Sequence, residues 1–196
     1  MKDRYGREID YLRISITDRC NLRCIYCMPE EGICQISHGE ILTYDEIQRV
    51  CRCMTTLGIK KIKLTGGEPL TRKNSAALIR MLKELPGIEK VTLTTNGVLL
   101  NDDIMEFANK EMANVVLSID GRKEVNDRMR PFRNGSGSYD LIVPKFQKFA
   151  DSRKQTNYYV RGTFTHNNLD FSQDVLHLAD LGFKQISVEP VVAQET

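Results

Sequence analysis

At 196 residues the chain is long enough for one domain with a substantial core and short for a multidomain enzyme. Its 28 Lys+Arg against 26 Asp+Glu leave almost no net field, which argues against nucleic acid or a membrane surface as partner and makes any anion site a local one. The N-terminal MKDRYGREIDYLR alternates charged and apolar residues, and no segment has signal-peptide or membrane-spanning character, so the expected location is cytoplasmic.

Taken in order, short β-branched runs alternate with segments of helical period. Strands are expected at Tyr11–Thr17, Lys60–Thr65, Lys90–Thr95, Asn114–Ile119, Tyr158–Thr165 and Gln185–Val192. Between them, helical spacing marks Tyr44–Leu57, Ser75–Leu85, Asp102–Lys110, Tyr139–Ser152 and Phe171–Leu181. Thr43 followed by Glu46 reads as a capping box, and Gly58, Gly87 and Gly182 read as helix stops. Strands separated by helices pair in parallel through right-handed crossovers. The expected fold is therefore a single α/β domain over residues 1–196 with parallel strands, either an open doubly wound sheet or a partial TIM-like barrel of six βα units, and both put their chemistry at the carboxyl ends of the strands. The glycine-rich Arg133–Ser138 stretch follows no strand and reads as a loop.

Six cysteines in a reducing compartment are better ligands or catalytic groups than disulfides. Cys20, Cys24 and Cys27 fall in the loop after the first strand, over the barrel mouth. Three thiolates on a four-iron cluster leave one iron open to chelate a substrate or cofactor. The competing reading is a closed zinc site of Cys24, Cys27, Cys34 and His38. A zinc knuckle, however, does not require the polar motifs at the other strand ends. Cys51 and Cys53 lie in a helical stretch and are expected as small buried apolar residues.

The segment Ile16-Thr17-Asp18-Arg19-Cys20-Asn21-Leu22-Arg23-Cys24-Ile25-Tyr26-Cys27 resembles the cluster loop of radical S-adenosylmethionine enzymes. Gly66-Gly67-Glu68-Pro69 resembles the second motif of that family. The resemblance implies a four-iron, four-sulfur cluster on Cys20, Cys24 and Cys27. It also implies S-adenosylmethionine chelated to the open iron and cleaved reductively to a 5′-deoxyadenosyl radical. It further implies that Glu68, with the Gly66-Gly67 backbone, meets the cofactor ammonium, that Tyr26 lies beside adenine, and that Thr95, Asn96 and Ser118 contact the ribose or methionine part. Arg161 would pair with the cofactor carboxylate, although strand alternation alone leaves an outward position equally open. Val188 and Val191 are core positions that could also line the adenine side.

For the substrate the two halves differ. Gly6 to Leu100 resembles the GTP 3′,8-cyclases of molybdenum-cofactor biosynthesis, notably in Gly6-Arg7, Tyr11-Leu12-Arg13-Ile14-Ser15 and Cys27-Met28-Pro29. Ser118 to Pro131 and Tyr159 to Thr165 resemble maturases that install thioether links in cysteine-rich peptides. GTP or such a peptide is the expected substrate. Arg13 and Lys63 are candidate triphosphate contacts, and solvated strand-edge positions are the alternative for both. Both families extend past a sixth strand with further cysteines, so the substrate and auxiliary-cluster region is expected to be missing here. Expected partners are an electron donor such as flavodoxin or ferredoxin and, over the open side of the barrel, a second copy in a homodimer. A non-catalytic module that only carries a cluster or zinc stands as the reading from another class.

Overall fold

The computed structural model describes residues 2–27, 36, 37 and 39–191. Six strands form one parallel sheet in sequence order: β1 (Tyr11–Ser15), β2 (Lys61–Thr65), β3 (Lys90–Thr95), β4 (Asn114–Ser118), β5 (Tyr158–Phe164) and β6 (Ile186–Pro190). Each strand pairs only with its sequence neighbours, so β1 and β6 are edges of an open sheet. The helices are α1 (Tyr44–Thr56), α2 (Ser75–Lys83), α3 (Asp102–Glu111), α4 (Lys123–Met129), α5 (Tyr139–Ser152) and α6 (Phe171–Asp180). The order and the parallel pairing match the sequence expectation. β2 and β3 end where expected, and β1, β4, β5 and β6 end one or two residues sooner, where the chain turns away to build loops.

Period-two alternation separates two faces. On β2, Ile62 and Leu64 are fully buried against the helices, while Lys63 and Thr65 point the other way, into the concave side. The helix-side layer joins Leu93, Leu117 and Val160 of the strands to Leu78 and Leu82 of α2 and Phe146 and Phe149 of α5. Burying such side chains contributes about 1.5–3 kcal/mol each and fixes the register of every strand.

Helix starts and stops follow local chemistry. Thr43 Oγ1 accepts from the Glu46 amide while the Glu46 carboxylate accepts from the Thr43 amide at 2.7 Å, closing the capping box of α1. Gly58 and Gly182 follow their helices at φ +91° and +93°, a region open to glycine at little cost. Cys51 and Cys53, read together as buried, are corrected in part. Two residues on a helix turn by about 200°, so Cys51 is buried and Cys53 is exposed.

The short α4 has no counterpart in the sequence reading, since its Lys123–Met129 carries too few apolar positions to show a period. Its consequence is spatial, because it delivers Met129–Phe132 back to the cysteine loop. Arg23 N donates to Pro131 O at 2.7 Å, Ile25 N donates to Met129 O at 3.0 Å, and Leu22 bridges antiparallel to Phe132. Among the described residues, no helix is long and apolar enough to cross a membrane.

Candidate active site

At the carboxyl ends of the strands lies a cavity of about 560 Å³. Cys20, Cys24 and Cys27 line it together with Tyr26, Gly66, Gly67, Glu68, Thr95, Asn96, Ser118 and Arg161. Residues far apart in sequence meet because each lies on, or just after, a strand of the same parallel sheet.

The glycine pair acts on the cysteine loop. Gly67 N donates to Thr17 O and Glu68 N donates to Arg19 O, both at 2.7 Å. A Cβ on Gly66 would stand 2.3 Å from Thr17 O, and one on Gly67 would stand 2.2 Å from Arg19 O. Only glycine lets these two backbone segments touch. Glu68, 1% exposed, then binds sideways: Oε1 accepts from Thr95 Oγ1 at 2.8 Å and Leu70 N at 3.0 Å, and Oε2 accepts from Asn96 N at 2.7 Å. Burial pushes its carboxyl above the usual range, against the pull of those donors. A carboxylate has about four lone-pair sites, so one remains for a ligand in the cavity.

Two of the expected cofactor contacts, Thr95 and Asn96, line the cavity with side chains already bonded within the protein. Thr95 already donates to Glu68 and accepts from Gly97 N at 3.0 Å, so its hydroxyl is committed inside the protein. Thr94, its neighbour on the concave side, instead has a buried Oγ1 without a protein partner. Asn96 likewise spends its amide on the cysteine loop. Its Nδ2 donates to Asn21 Oδ1 at 2.7 Å and lies 3.6 Å from Cys20 Sγ, while its Oδ1 accepts from Val98 N at 3.1 Å. Ser118 keeps its place, opposite Arg161 in the β4–β5 register.

Arg161 points into the cavity, which removes the outward alternative. Its Nη2 lies 3.2 Å from Glu189 Oε1, and its Nε is buried without a partner. Arg13 and Lys63 line the same wall from β1 and β2, side by side in register. For Lys63 the strand-edge alternative is corrected, since it is 7% exposed in an inner position of the sheet. Burial, with Arg161 and Arg13 nearby, depresses its ammonium to about 8. Val188 and Val191 are not on the cavity wall. Glu189, one residue from Val188, occupies the concave side instead.

Around the cysteines, the largest effects come from the thiols themselves. A hydrogen bond from Cys27 brings Cys24 down to about 7, and the same bond pushes Cys27 up. Burial raises Cys20. Among the described residues, no three His, Cys, Asp or Glu side chains converge as a single ion requires. Cys34 and His38 of the zinc alternative lie outside the described residues, as do Met28 and Pro29. A four-iron cluster presents separate iron corners and does not need its thiolates to meet at one point. The donor set, the cavity beside it and the partnerless Thr94 and Arg161 atoms fit a cluster with a zwitterionic ligand.

Two site residues carry no role in the sequence reading. Asp120, 2% exposed, accepts from Tyr26 Oη at 2.8 Å through Oδ2, and from Thr163 N at 2.9 Å and Thr163 Oγ1 at 3.0 Å through Oδ1. Arg130, 7% exposed, donates to the Tyr26 hydroxyl and lies 3.7 Å from Asp120. Both sit in the charge-dense stretch from Asp120 to Arg133, where no local pattern separates them from solvated charges.

The family model for the radical SAM superfamily matches residues 14–176. The chain belongs to the radical SAM superfamily. That family uses a four-iron cluster and S-adenosylmethionine. A curated relative, the GTP 3′,8-cyclase of Clostridium perfringens strain SM101, is 40% identical over 185 residues, covering 94% of this chain and 55% of its own length. The GTP 3′,8-cyclase of Pelotomaculum thermopropionicum is 52% identical over 120 residues, 61% of this chain and 37% of its own. The chain thus spans about half the length, or less, of these radical SAM relatives. Solved folds agree: anSMEcpe with bound AdoMet superposes with a TM-score of 0.78 at 17% identity, covering 95% of this chain and 54% of that one. Streptococcus suis SuiB bound to its precursor peptide SuiA superposes at 0.71 and 20% identity, covering 93% and 39%. At these identities the likeness is one of fold.

Proposed function

We propose that this chain is the catalytic core of a radical SAM enzyme of the GTP 3′,8-cyclase kind. The observation that carries the substrate assignment is the cationic wall. Arg13, Lys63 and Arg161 line the cavity with Cys20, Cys24 and Cys27, and Glu189 is paired with Arg161. Arg13 and Lys63, side by side in register and outside any ion pair among the described residues, suit a triphosphate better than a neutral peptide backbone. The cyclase relatives support the same choice.

Cys20, Cys24 and Cys27 would hold the cluster. When bound, cluster and S-adenosylmethionine together supply one-electron reductive cleavage and hence hydrogen-atom abstraction. The protein supplies placement. Gly66 and Gly67 press the cysteine loop against β2, Asn96 orients Asn21 and reaches toward Cys20, and Glu68 keeps one lone-pair site for the ligand ammonium. Thr94 and Ser118 offer hydroxyls to a ribose, Tyr26 offers a ring face to adenine, and Arg161 offers Nε to a carboxylate. Lys63 and Arg13 take the substrate phosphates, whose charge would raise Lys63 back toward its ordinary value and hold it as an ammonium.

An external one-electron donor of the flavodoxin or ferredoxin kind completes the reaction, and the exposed position of Cys27 supports access for it. The open β1 and β6 edges support a covering copy of the chain, and cysteine usage supports a cytoplasmic setting.

The deciding experiment is anaerobic reconstitution followed by parallel incubation with GTP and with a cysteine-rich peptide under strong reductant. The expected result is 5′-deoxyadenosine formation that is largely uncoupled, with only a little cyclised GTP, because the chain spans about half of the cyclase relatives; a robust cyclised product would strengthen the cyclase reading. A peptide that loses two hydrogens while GTP is untouched would transfer the assignment to thioether maturation. A verified cluster that yields no 5′-deoxyadenosine under any reductant would end the enzymatic reading.

A further inference from the structure

The antiparallel contact between the cysteine loop and the segment after α4 has a fixed register. Leu22 faces Phe132, Arg23 meets Pro131, and Ile25 meets Met129. Cys24 therefore stands directly opposite Arg130, and directly opposed residues of an antiparallel pair project to the same face. Both line the cavity. The guanidinium is buried, with Nε unpartnered, a contact to the Tyr26 hydroxyl and a long 3.7 Å approach to Asp120. Asp120 is itself largely committed to Tyr26 and Thr163. An incompletely paired buried cation is costly unless other negative charge stands nearby. Besides Asp120, the groups placed to carry such charge are the cysteines of the loop, as the thiolates they would present to a cluster.

We propose that Arg130 is a positioning residue that supplies the compensating charge of the cysteine loop. Pinned by Tyr26 and Asp120, it stabilises the more reduced state of the bound iron–sulfur cluster and so raises its reduction potential. This rests on the cluster assignment above. Adding one electron makes the cluster and its three thiolates more negative, and a fixed cation in a water-poor site favours that state. Asp120 acts with the opposite sign, so the pair sets the potential by difference. Tyr26 connects them through one hydroxyl, which ties the loop's position to its charge balance.

The test is a reductive titration of reconstituted protein followed by electron paramagnetic resonance, with circular dichroism and iron content measured on each sample. In Arg130→Gln the reduced-to-oxidised ratio at a fixed potential should fall at least tenfold, about 59 mV for a one-electron couple. Arg130→Lys should recover most of that ratio, and Asp120→Asn should move it the other way. A folded, iron-loaded Arg130→Gln protein with wild-type potential overturns the proposal. Should Arg130→Gln fail to fold, Asp120→Asn decides, and an unchanged or lowered potential there overturns it as well. Wild-type iron content and spectrum test the cluster assignment separately, and protein that takes up no four-iron cluster removes both readings.

Discussion

The Glu68 carboxylate receives the Thr95 hydroxyl at 2.8 Å and the Asn96 amide at 2.7 Å, so one buried side chain joins the ends of β2 and β3. Glu68→Ala would leave both donors buried without an acceptor. Each such loss costs about 1–3 kcal/mol, so urea unfolding of the metal-free chain should show a combined loss of about 2–6 kcal/mol. Glu68→Gln keeps one carbonyl acceptor and should lose roughly half as much. An Ala variant within 0.5 kcal/mol of wild type, roughly the scatter of surface substitutions, would show that water replaces the carboxylate.

The glycine pair predicts a coupled effect on stability and iron content. Gly67→Ala puts a methyl 2.2 Å from Arg19 O, which must displace the backbone leading to Cys20. We expect a stability loss of about 1–3 kcal/mol or more, and reconstituted iron well below wild type. Gly39→Ala is the control, with nothing within 4 Å of the added methyl. Iron content equal in the two variants would separate the glycines from the cysteine loop.

Cysteine substitutions should divide cleanly. Cys20→Ala, Cys24→Ala and Cys27→Ala are each expected to abolish stable cluster incorporation, read from the visible absorbance after desalting. Cys51→Ala removes a fully buried sulfur behind the sheet and should cost about 1 kcal/mol of stability while leaving that absorbance intact. A chromophore that survives loss of Cys20 would redirect the ligand assignment.

Lys63 gives a pH prediction. Its ammonium is depressed to about 8 from the ordinary 10.5, so between those values the unfolded chain binds more protons at this site. Stability from this group therefore rises with pH across that window. Lys63→Met should remove the pH dependence and stabilise the ligand-free chain by on the order of 1 kcal/mol, a figure discounted for the water the cavity admits. It should also weaken triphosphate binding measured by equilibrium dialysis. Unchanged nucleotide affinity would place the phosphates elsewhere.

Arg161→Ala should weaken S-adenosylmethionine binding about ten- to a hundredfold, the equivalent of about 1.5–3 kcal/mol for a charge-assisted hydrogen bond. Calorimetric titration of the reconstituted protein reads this directly. Full affinity in the variant would leave Glu189 as the sole partner of the guanidinium.

The sequence by itself determined the alternating elements, the parallel order and the cysteine motif. These depend on local period, on glycine and capping chemistry, and on ligand spacing, all carried by contiguous residues. It also placed Glu68 and Ser118 at strand ends, because every strand of such a sheet delivers its last residues to one side, and Arg161 on the fifth strand. Only the tertiary structure decided which face each side chain takes and what it meets there. Thr94 rather than Thr95 keeps a free hydroxyl, and Glu189 rather than Val188 enters the cavity, because adjacent residues on a strand take opposite faces and only packing decides which face is the cavity. Arg130 opposite Cys24 was beyond reach of any local pattern. Their meeting depends on a short helix without visible period and on antiparallel hydrogen bonds between segments about a hundred residues apart, where the register is fixed by packing rather than by either segment alone.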